Sequence, residues 1–222
     1  MICSEMNKEI NFDFDRQNRI GIIEAIWGEH KNVDQLKKIC EKVLDKNELV
    51  FITRINFDKA KLILETYKNA EFYREASCLI IGKNLKKLST DKKVAIVAGG
   101  TSDVSVSLEA KLALEVHGIK CKTFIDVGVA GIHRLFNNLE DINKFDVIIV
   151  CAGMEGALPT VLGGLLPQPI IAVPISVGYG VSKDGFAALN SMLSSCSPGI
   201  SVMNIDNGYG AAMAALRIIK SF

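Results

Sequence analysis

The sequence predicts an α/β protein: a three-layer αβα domain, doubly wound around a parallel sheet, preceded by a smaller α/β extension. Three observations predict this class. Glycine and apolar residues dominate beyond residue 92, whereas charge is dense before it. In the later part, short apolar runs alternate with helical patterns, as parallel strands joined by helical crossovers require. The run at residues 146–151 (DVIIVC) is apolar enough to be covered on both faces.

The change of composition near residue 92 also predicts two domains. Residues 84–93 (NLKKLSTDKK) are interpreted as a solvated connector, because charge runs usually face water. We therefore expect an α/β extension over residues 1–90 and a larger domain over residues 91–222.

The elements of the extension follow from helical spacing, short apolar runs and a capping residue. Asn56 or Asp58 can cap the second helix, since both side chains accept bonds from free backbone N–H groups. The expected order is a helix at residues 33–44, a strand at 49–53, a helix through Tyr67 and a strand at 78–81.

The larger domain alternates strand and helix throughout, and right-handed crossovers would place its helices on both faces of the sheet. Strands are expected at residues 94–98, 120–125, 146–151, 170–173 and 200–203. Helices are expected at residues 103–117, after Gly131, from about Glu155, after Asp184 to about Ser194, and from about Tyr209.

Charge and hydropathy exclude several classes of protein. The chain has 26 basic and 25 acidic residues, a formal net charge of +1, so it lacks the basic face of a nucleic-acid binder. No apolar run reaches the roughly 20 residues that span a bilayer. Residues 1–19 have no apolar core behind a basic end, so they do not resemble a secretion signal. We expect a cytoplasmic protein that binds neither nucleic acid nor membrane.

The cysteines predict free thiols rather than disulfides or zinc ligands. No two of them form a CxxC pair or a spacing typical of a zinc site. In a chain without a secretion signal, such scattered thiols indicate a reducing compartment. The six residues are Cys3, Cys40, Cys78, Cys121, Cys151 and Cys196.

Unusual segments follow each expected strand of the larger domain. Ligands of open α/β sheets bind beyond the carboxyl ends of the strands, so these loops predict a pocket. Glycine also serves turn geometry alone, and it is the number of loops that makes the prediction specific. They are GGTSD at residues 99–103, DVGVAGIHR at 126–134, AGMEGALP at 152–159, PISVGYG at 174–180 and NIDNGYG at 204–210.

The first loop joins a strand to the start of a helix, where backbone N–H groups can hold a phosphate. Alternatively, Ser102 or Asp103 is an ordinary N-cap residue. The segment is neither a Walker loop nor a GxGxxG fingerprint, which disfavours ATP hydrolysis and hydride transfer.

These motifs resemble two related families. GTSD, the pair His133-Arg134 and the AG…LP segment resemble the PurE family, which makes a carboxylated aminoimidazole ribonucleotide. The similarity to the LarB family is greater, through DVGVAGIHR, AGMEGALP, SVGYG, the SSC ending at Cys196, NIDNGYGAA and the N-terminal DFDRQNRIGIIEAIWG. Two departures stand out. Ile23 replaces the proline usual before the glutamate of the N-terminal motif, and Glu155 lies in a loop where PurE proteins have histidine.

The LarB resemblance implies a PurE-like, flavodoxin-like catalytic domain acting on nicotinic acid adenine dinucleotide. Its pyridinium ring would gain a second carboxylate from carbon dioxide or bicarbonate. Cleavage of the phosphoanhydride would release AMP and leave pyridinium-3,5-biscarboxylic acid mononucleotide. Mg²⁺, held mainly by substrate oxygens and water, would neutralise phosphate charge. The resemblance also implies a homo-oligomer, an octamer, and the Gly/Ala-rich last helix (GYGAAMAALR) is interpreted as an oligomer contact.

The resemblance assigns the catalytic roles to three residues. Cys196 matches the family's nucleophile, and a thiolate added to the ring would make a neighbouring carbon electron-rich enough to attack carbon dioxide. An inert buried thiol is the alternative for Cys196. Glu155 could remove the ring proton, or be a favourable carboxylate in the first turn of a helix. His133 could act as base or bind substrate, although a lone histidine is more often structural.

The remaining candidates would bind substrate. Arg134 can hold a carboxylate or phosphate in bidentate fashion, and Asp126 and Asp206 could orient ribose or metal-bound water, or cap turns. Arg16 and Arg19 would pair with anionic groups, or belong to an exposed helix face. The full candidate set is Gly100, Thr101, Ser102, Asp103, Asp126, Arg134, Gly153, Met154, Ser176, Gly178, Tyr179, Asp206, Asn207, Arg16 and Arg19.

Three other functions remain open from the sequence. A PurE-type 5-aminoimidazole ribonucleotide carboxylase or mutase needs no nucleophilic cysteine. A non-catalytic nucleotide-binding protein would bind a nucleotide without incorporating bicarbonate. A structural subunit would use the small residues of the last helix for close packing.

Overall fold

A computed structural model of the chain describes residues 10–82 and 90–221. The chain divides into two units, residues 1–86 and 87–222. Most of the expected connector at residues 84–93, and Cys3, lie outside the described residues. Within the described ranges, every helix is too short or too polar to span a lipid bilayer.

The first unit is a four-stranded sheet with helices. Strand β1 is parallel to β2, and β4 lies between β2 and β3, antiparallel to both, in the order β1-β2-β4-β3. The elements are α1 (Arg16–Ile20), β1 (Ile26–Trp27), α2 (Val33–Leu44), β2 (Val50–Thr53), α3 (Phe57–Thr66), β3 (Ala70–Tyr73) and β4 (Cys78–Ile81).

Capping residues begin both longer helices of this unit. The Asn32 side chain accepts from the backbone N–H of Gln35 at 2.9 Å, and the Gln35 side chain accepts in return from the Asn32 N–H at 3.0 Å. Asn56 caps α3 by accepting from the Lys59 N–H, which decides between Asn56 and Asp58. The buried side of α2, at helical spacing, packs on the sheet through Leu36, Ile39, Cys40 and Val43.

The second unit is a five-stranded sheet in which every strand is parallel to its neighbours. Its order is β6-β5-β7-β8-β9. The strands are β5 (Lys93–Ala98), β6 (Lys120–Phe124), β7 (Val147–Ala152), β8 (Ile170–Pro174) and β9 (Ile200–Val202), and the helices are α4 (Val104–Glu115), α5 (Ile132–Ile142), α6 (Leu158–Leu165), α7 (Phe186–Leu193) and α8 (Gly208–Lys220).

Helices cover both faces of this sheet, which confirms the three-layer αβα prediction. One face packs Val97 and Val150 against Leu135 of α5, Leu162 of α6 and Met192 of α7. Successive residues of a strand point to opposite faces, so the alternate residues of β5 and β7 face α4 and α8. Strand order 2-1-3-4-5 within the unit is that of flavodoxin-like folds.

The small residues of α8 are buried inside this unit. Gly208, Ala211, Ala212 and Ala215 are buried, and α8 packs closely on α4. The small-residue face expected to contact another subunit therefore serves the contact between two helices of the same chain.

One predicted helix start was wrong. The helix after β7 begins at Leu158 rather than near Glu155, and Met154 and Glu155 form a turn closed by the Gly156 N–H donating to the Gly153 carbonyl at 2.9 Å. Gly156 has φ of 64° and Pro159 lies in the first turn of α6, so the helix starts after the turn. Glu155 is thus not a first-turn helical carboxylate.

Candidate active site

A cavity of about 400 Å³ opens at the carboxyl edge of the parallel sheet. It lies at the ends of β5 and β7, where the crossovers leave in opposite directions, which is where ligands of such folds bind. Its volume is in the range of small-molecule sites. The lining comprises Gly99, Gly100, Ser102, Asp103, Gly128, Val129, Ala130, Arg134, Ala152, Gly153, Met154, Glu155, Ala157, Leu158, Val177, Gly178 and Tyr179.

Glycines let the loops of this edge approach one another closely. A Cβ on Gly128 would lie 2.6 Å from the carbonyl oxygen of Gly99, and one on Gly153 would lie 2.6 Å from that of Val177. Neither distance is compatible with a side chain unless backbone moves. The loops after β5, β6, β7 and β8 therefore meet through backbone contacts, and this frame sets the shape of the cavity.

Asp103 holds the turn between β5 and α4. It is 3% exposed; one carboxylate oxygen accepts from the Gly100 N–H at 2.9 Å and the other from the Ser102 hydroxyl at 3.2 Å. Burial raises the pKa of Asp103 above its usual value. Asp103 occupies the N-cap position of α4, but its side chain makes no capping bond to that helix. The carboxylate braces the loop expected to contact a phosphate.

Arg134 and Asp126 form an ion pair across the loop after β6. Both side chains are partly exposed, at 39% and 50%. The guanidinium lies against Gly131, where a Cβ would come within 2.6 Å of Nε. Arg134 lines the cavity and Asp126 does not. The ion pair with Asp126 therefore orients the guanidinium of Arg134 at the cavity wall. This places a fixed positive charge beside the glycine-rich loops.

Two predicted binding residues hold the backbone of this edge. Asp206 accepts from the Ser176 N–H at 2.8 Å, and its own N–H donates to the Pro174 carbonyl at 2.9 Å. Asn207 caps α8 by accepting from the Gly210 N–H at 2.8 Å. The cavity lining of the described chain includes neither Asp206, Asn207 nor Ser176.

The side chains of the cavity mouth are exposed. Tyr179 is 78% exposed and Met154 38% exposed, and Glu155 lies beside Met154 in the same turn. Glu155 is therefore a carboxylate at the mouth, available to a ligand as well as to water. Gly178 completes this side of the cavity.

The predicted nucleophile lies elsewhere. Cys196 is exposed in the turn between α7 and β9, four residues before β9 begins. Within the described residues the cavity lining does not include Cys196, nor His133, exposed in the first turn of α5, nor the exposed Thr101. Parallel strands begin and end at opposite edges, so Cys196 lies at the amino edge and the cavity at the carboxyl edge.

The other described cysteines differ from Cys196 in burial. Cys40, Cys78 and Cys151 are buried, and Cys121 is partly buried. Burial raises the pKa of Cys40, Cys121 and Cys151 to about 12. These thiols stay protonated and unreactive near neutral pH.

The two predicted arginines of the first unit have different surroundings. Both terminal nitrogens of Arg19 donate to Asp13 at 2.8 Å, and this bond holds the pKa of Asp13 below its usual value. Arg19 is therefore engaged within its own segment. The Nε of Arg16 is buried with no hydrogen-bond partner among the described atoms.

In residues 10–82 and 90–221, no three His, Cys, Asp or Glu side chains come together in a way that could hold a metal ion.

A buried carboxylate, Glu109, was missed by the sequence analysis. Glu109 is 5% exposed on α4 and accepts from the Tyr209 N–H at 3.2 Å, at the positive end of α8. It lies on a helix side that also carries the buried Ser107 and Ala110. The sequence did contain a signal for this residue, an acidic residue placed among small residues in a helical pattern.

Comparisons with known proteins match both parts of the chain. A family model described as AIR carboxylase matches residues 93–221, and one described as LarB/PurE-like N-terminal domain matches residues 5–83. An uncharacterized protein of Methanocaldococcus jannaschii is 42% identical over 224 residues, covering 97% of this chain and 86% of that protein. The N5-carboxyaminoimidazole ribonucleotide mutase of the same organism is 35% identical over 131 residues, covering 57% of this chain and 78% of the mutase.

Proposed function

The chain belongs to the AIR carboxylase family, with a LarB/PurE-like N-terminal domain, and from this membership we propose that it carboxylates the pyridinium ring of nicotinic acid adenine dinucleotide. The products would be pyridinium-3,5-biscarboxylic acid mononucleotide and AMP. The observation that carries the proposal is Cys196, an exposed thiol where the other described cysteines are buried or partly buried. A pyridinium needs such a nucleophile, whereas an aminoimidazole does not.

The reaction has to overcome an electronic mismatch. Pyridinium and carbon dioxide are both electron-poor and do not combine. Addition of a thiolate to the ring carbon para to nitrogen forms a carbon–sulfur bond and moves an electron pair to nitrogen. The product is a neutral dihydropyridine whose adjacent enamine carbon can attack carbon dioxide. This is covalent catalysis, which replaces one forbidding step by easier ones.

Two further events restore the ring. A base removes the proton from the newly carboxylated carbon, and the thiolate leaves with its bonding electrons, so the net change is exchange of a proton for a carboxylate. Glu155 at the cavity mouth is the proposed base, with His133 as the alternative. Water then cleaves the phosphoanhydride, or does so before carboxylation.

The cavity supplies charges suited to such a substrate. Arg134 would pair with a carboxylate or phosphate. The backbone N–H groups of Thr101 and Ser102, in the turn that Asp103 braces, would contact a phosphate. Mg²⁺ would enter bound to the phosphate oxygens of the substrate and would neutralise their negative charge while the anhydride is cleaved.

The test is incubation of the full chain with nicotinic acid adenine dinucleotide, Mg²⁺ and labelled bicarbonate. We expect AMP release and label retained on a pyridinium mononucleotide. Mass spectrometry of the protein should show an adduct confined to Cys196. Absence of both AMP and labelled product would refute the assignment.

A second function is favoured by the 35% identity to the mutase. A PurE-type enzyme would turn over an aminoimidazole ribonucleotide, and Cys196→Ser would leave that turnover intact. If the wild-type chain converts only the aminoimidazole ribonucleotide, the second function replaces the first. Nucleotide binding without any labelled product would leave a non-catalytic nucleotide-binding protein.

A further inference from the structure

We propose that the first unit contains a second ligand site, a cavity that binds the adenine base of a nucleoside or nucleotide. This inference goes beyond the proposed carboxylation and does not depend on it. The cavity lies between the segment at residues 10–12, strand β1 and one side of α2. Its volume of about 310 Å³ is at the lower end of small-molecule sites, which suits a single ring system better than a dinucleotide.

The first argument is the aromatic surface that Trp27 brings to this cavity. Trp27 is 48% exposed, although it belongs to a strand. His30 packs edge-on against the indole, with ring centroids 4.8 Å apart, and the indole Nε1–H donates to Glu29 at 3.2 Å. These contacts fix the orientation of an indole that stays partly uncovered. Phe12 and Ile39 add apolar surface to the wall, and a flat aromatic face is what a nucleobase stacks on.

The second argument is the carboxylate of Glu24, which lines the cavity. Its oxygen Oε2 accepts from the Asp13 N–H at 2.5 Å, and this bond ties the carboxylate to the wall. Its other oxygen, Oε1, accepts no hydrogen bond from any residue that the structure describes. Oε1 is therefore available to a donor on the ligand, such as the exocyclic amino group of adenine.

The third argument is the backbone of β1, the outer strand of its sheet among the described residues. The Gly28 N–H donates to the Thr53 carbonyl of β2 at 2.8 Å. Backbone groups of successive strand residues point to alternate sides, so Trp27 directs its own N–H and carbonyl away from β2. Adenine presents an amino donor beside a ring-nitrogen acceptor. A carboxylate oxygen and a backbone N–H in one cavity match that pair.

The charges of the cavity disfavour other classes of ligand. Glu24 and Lys31 both line it, and the Lys31 ammonium donates to the Trp27 carbonyl at 3.2 Å. An organic cation would meet the ammonium, and an anion would meet the carboxylate, each without full compensation. A neutral ring with both donors and acceptors avoids both costs. Guanine has a carbonyl oxygen where adenine has its amino group, so it would set one acceptor against another.

Trp27 makes the test direct, because it is the only tryptophan of the chain. Adenosine is titrated into the full chain, and fluorescence is excited at the red edge of the indole band, where adenosine does not absorb. Stacking on the indole should quench the emission in a saturable way. Inosine, with a carbonyl oxygen in place of the amino group, should bind at least about 10-fold more weakly, the value of one hydrogen bond to a charged group.

Variants test the two assigned contacts. Glu24→Gln keeps an oxygen for the Asp13 N–H but loses the charge, and in the same titration it should bind adenosine about 10- to 100-fold more weakly. Glu41→Gln, at an exposed carboxylate of α2 outside the cavity lining, is the matched control and should bind as wild type does. Trp27→Leu removes the stacking surface, and equilibrium dialysis with labelled adenosine should show binding about 5- to 150-fold weaker. Circular dichroism checks that each variant is folded.

AMP, titrated in parallel, identifies the source of the base. Tighter binding of AMP than of adenosine would indicate a nucleotide, and equal binding a nucleoside, and both results support an adenine site. Absence of saturable quenching, equal binding of adenosine and inosine, or unchanged affinity in a folded Glu24→Gln variant would each overturn the inference. The adenosine and inosine comparison needs no variant. None of these measurements uses turnover, so the proposed carboxylation and this site can fail independently.

Discussion

Two thiols at the two edges of the parallel sheet have opposite properties. Cys151 lies beneath the cavity, its carbonyl accepting from the Gly99 N–H at 3.0 Å, yet its side chain is fully buried and burial raises its pKa to about 12. Cys196 is exposed but lies where the strands begin. Closeness to a pocket along the chain therefore does not make a nucleophile. Access to the reacting atom does.

The largest expected effect separates these two thiols directly. Cys196→Ser should lower label incorporation by at least about 10³-fold, since a serine hydroxyl is not ionised at neutral pH and loss of a nucleophile is among the most costly changes in an active site. Cys151→Ala, the matched control, should retain activity within a few-fold. Steady-state assays with labelled bicarbonate measure both. The reverse result would mean that the buried thiol is the nucleophile.

The next effect concerns the cation at the carboxyl edge. Arg134→Met should reduce kcat/KM by roughly 10- to 100-fold, the value of one hydrogen bond to a charged group. Arg217→Met, an exposed arginine on α8, is the control and should leave kcat/KM unchanged. Equal losses of kcat/KM in both variants would show that the overall positive charge of the protein, and not the guanidinium at the cavity, attracts the substrate.

A smaller effect compares glycines of the same unit. Gly128→Ala should lower the free energy of unfolding by about 1–3 kcal/mol, because its Cβ would meet the Gly99 carbonyl. Gly164→Ala in α6, where a Cβ meets nothing within 4 Å, should be neutral or stabilising by up to about 1 kcal/mol. Urea denaturation followed by circular dichroism measures both. A Gly128→Ala variant as stable as wild type would mean that the loop contact adjusts at little cost.

The smallest effect is a pH dependence due to the buried thiol. The pKa of Cys151 is raised from 9.0 to about 12, so its contribution to stability is complete below pH 9 and declines as pH rises toward 12. Between pH 8 and pH 10, wild type should lose about 1 kcal/mol more than Cys151→Ala does. Unfolding curves at the two pH values give the difference. Equal losses of unfolding free energy in the two proteins would show that the Cys151 thiol ionises with its ordinary pKa in the native protein.

The sequence predicted elements best where local signals were strong. The helix Val33–Leu44 and the strand Cys78–Ile81 were placed at their observed ends, because helical spacing, a capping residue and an apolar run each act locally. Strands β1 and β3 were missed. Strand β1 has two residues, and in β3 partly buried residues alternate with exposed ones. Both segments therefore depend on pairing with a neighbouring strand to be strands at all.

The sequence predicted which loops form the site, but not which residues pair with one another there. The order of strands placed four of the five predicted segments at the cavity, since the carboxyl ends of parallel strands share an edge. Which carboxylate pairs with Arg134, or that Asp103 bonds back to Gly100, depends on distances that spacing does not encode. The separation of Cys196 from its own cavity likewise follows from topology and not from any motif.

The backbone frame at Gly128 and Gly153 has a consequence for changing the substrate of this protein. Contacts between main-chain atoms do not depend on rotamers, so exchanging neighbouring side chains should leave the width of the opening as it is. Met154 and Tyr179 project at the entrance without supporting the frame. Libraries that vary these two positions and spare the glycines could therefore alter which ring is accepted while the architecture stays intact.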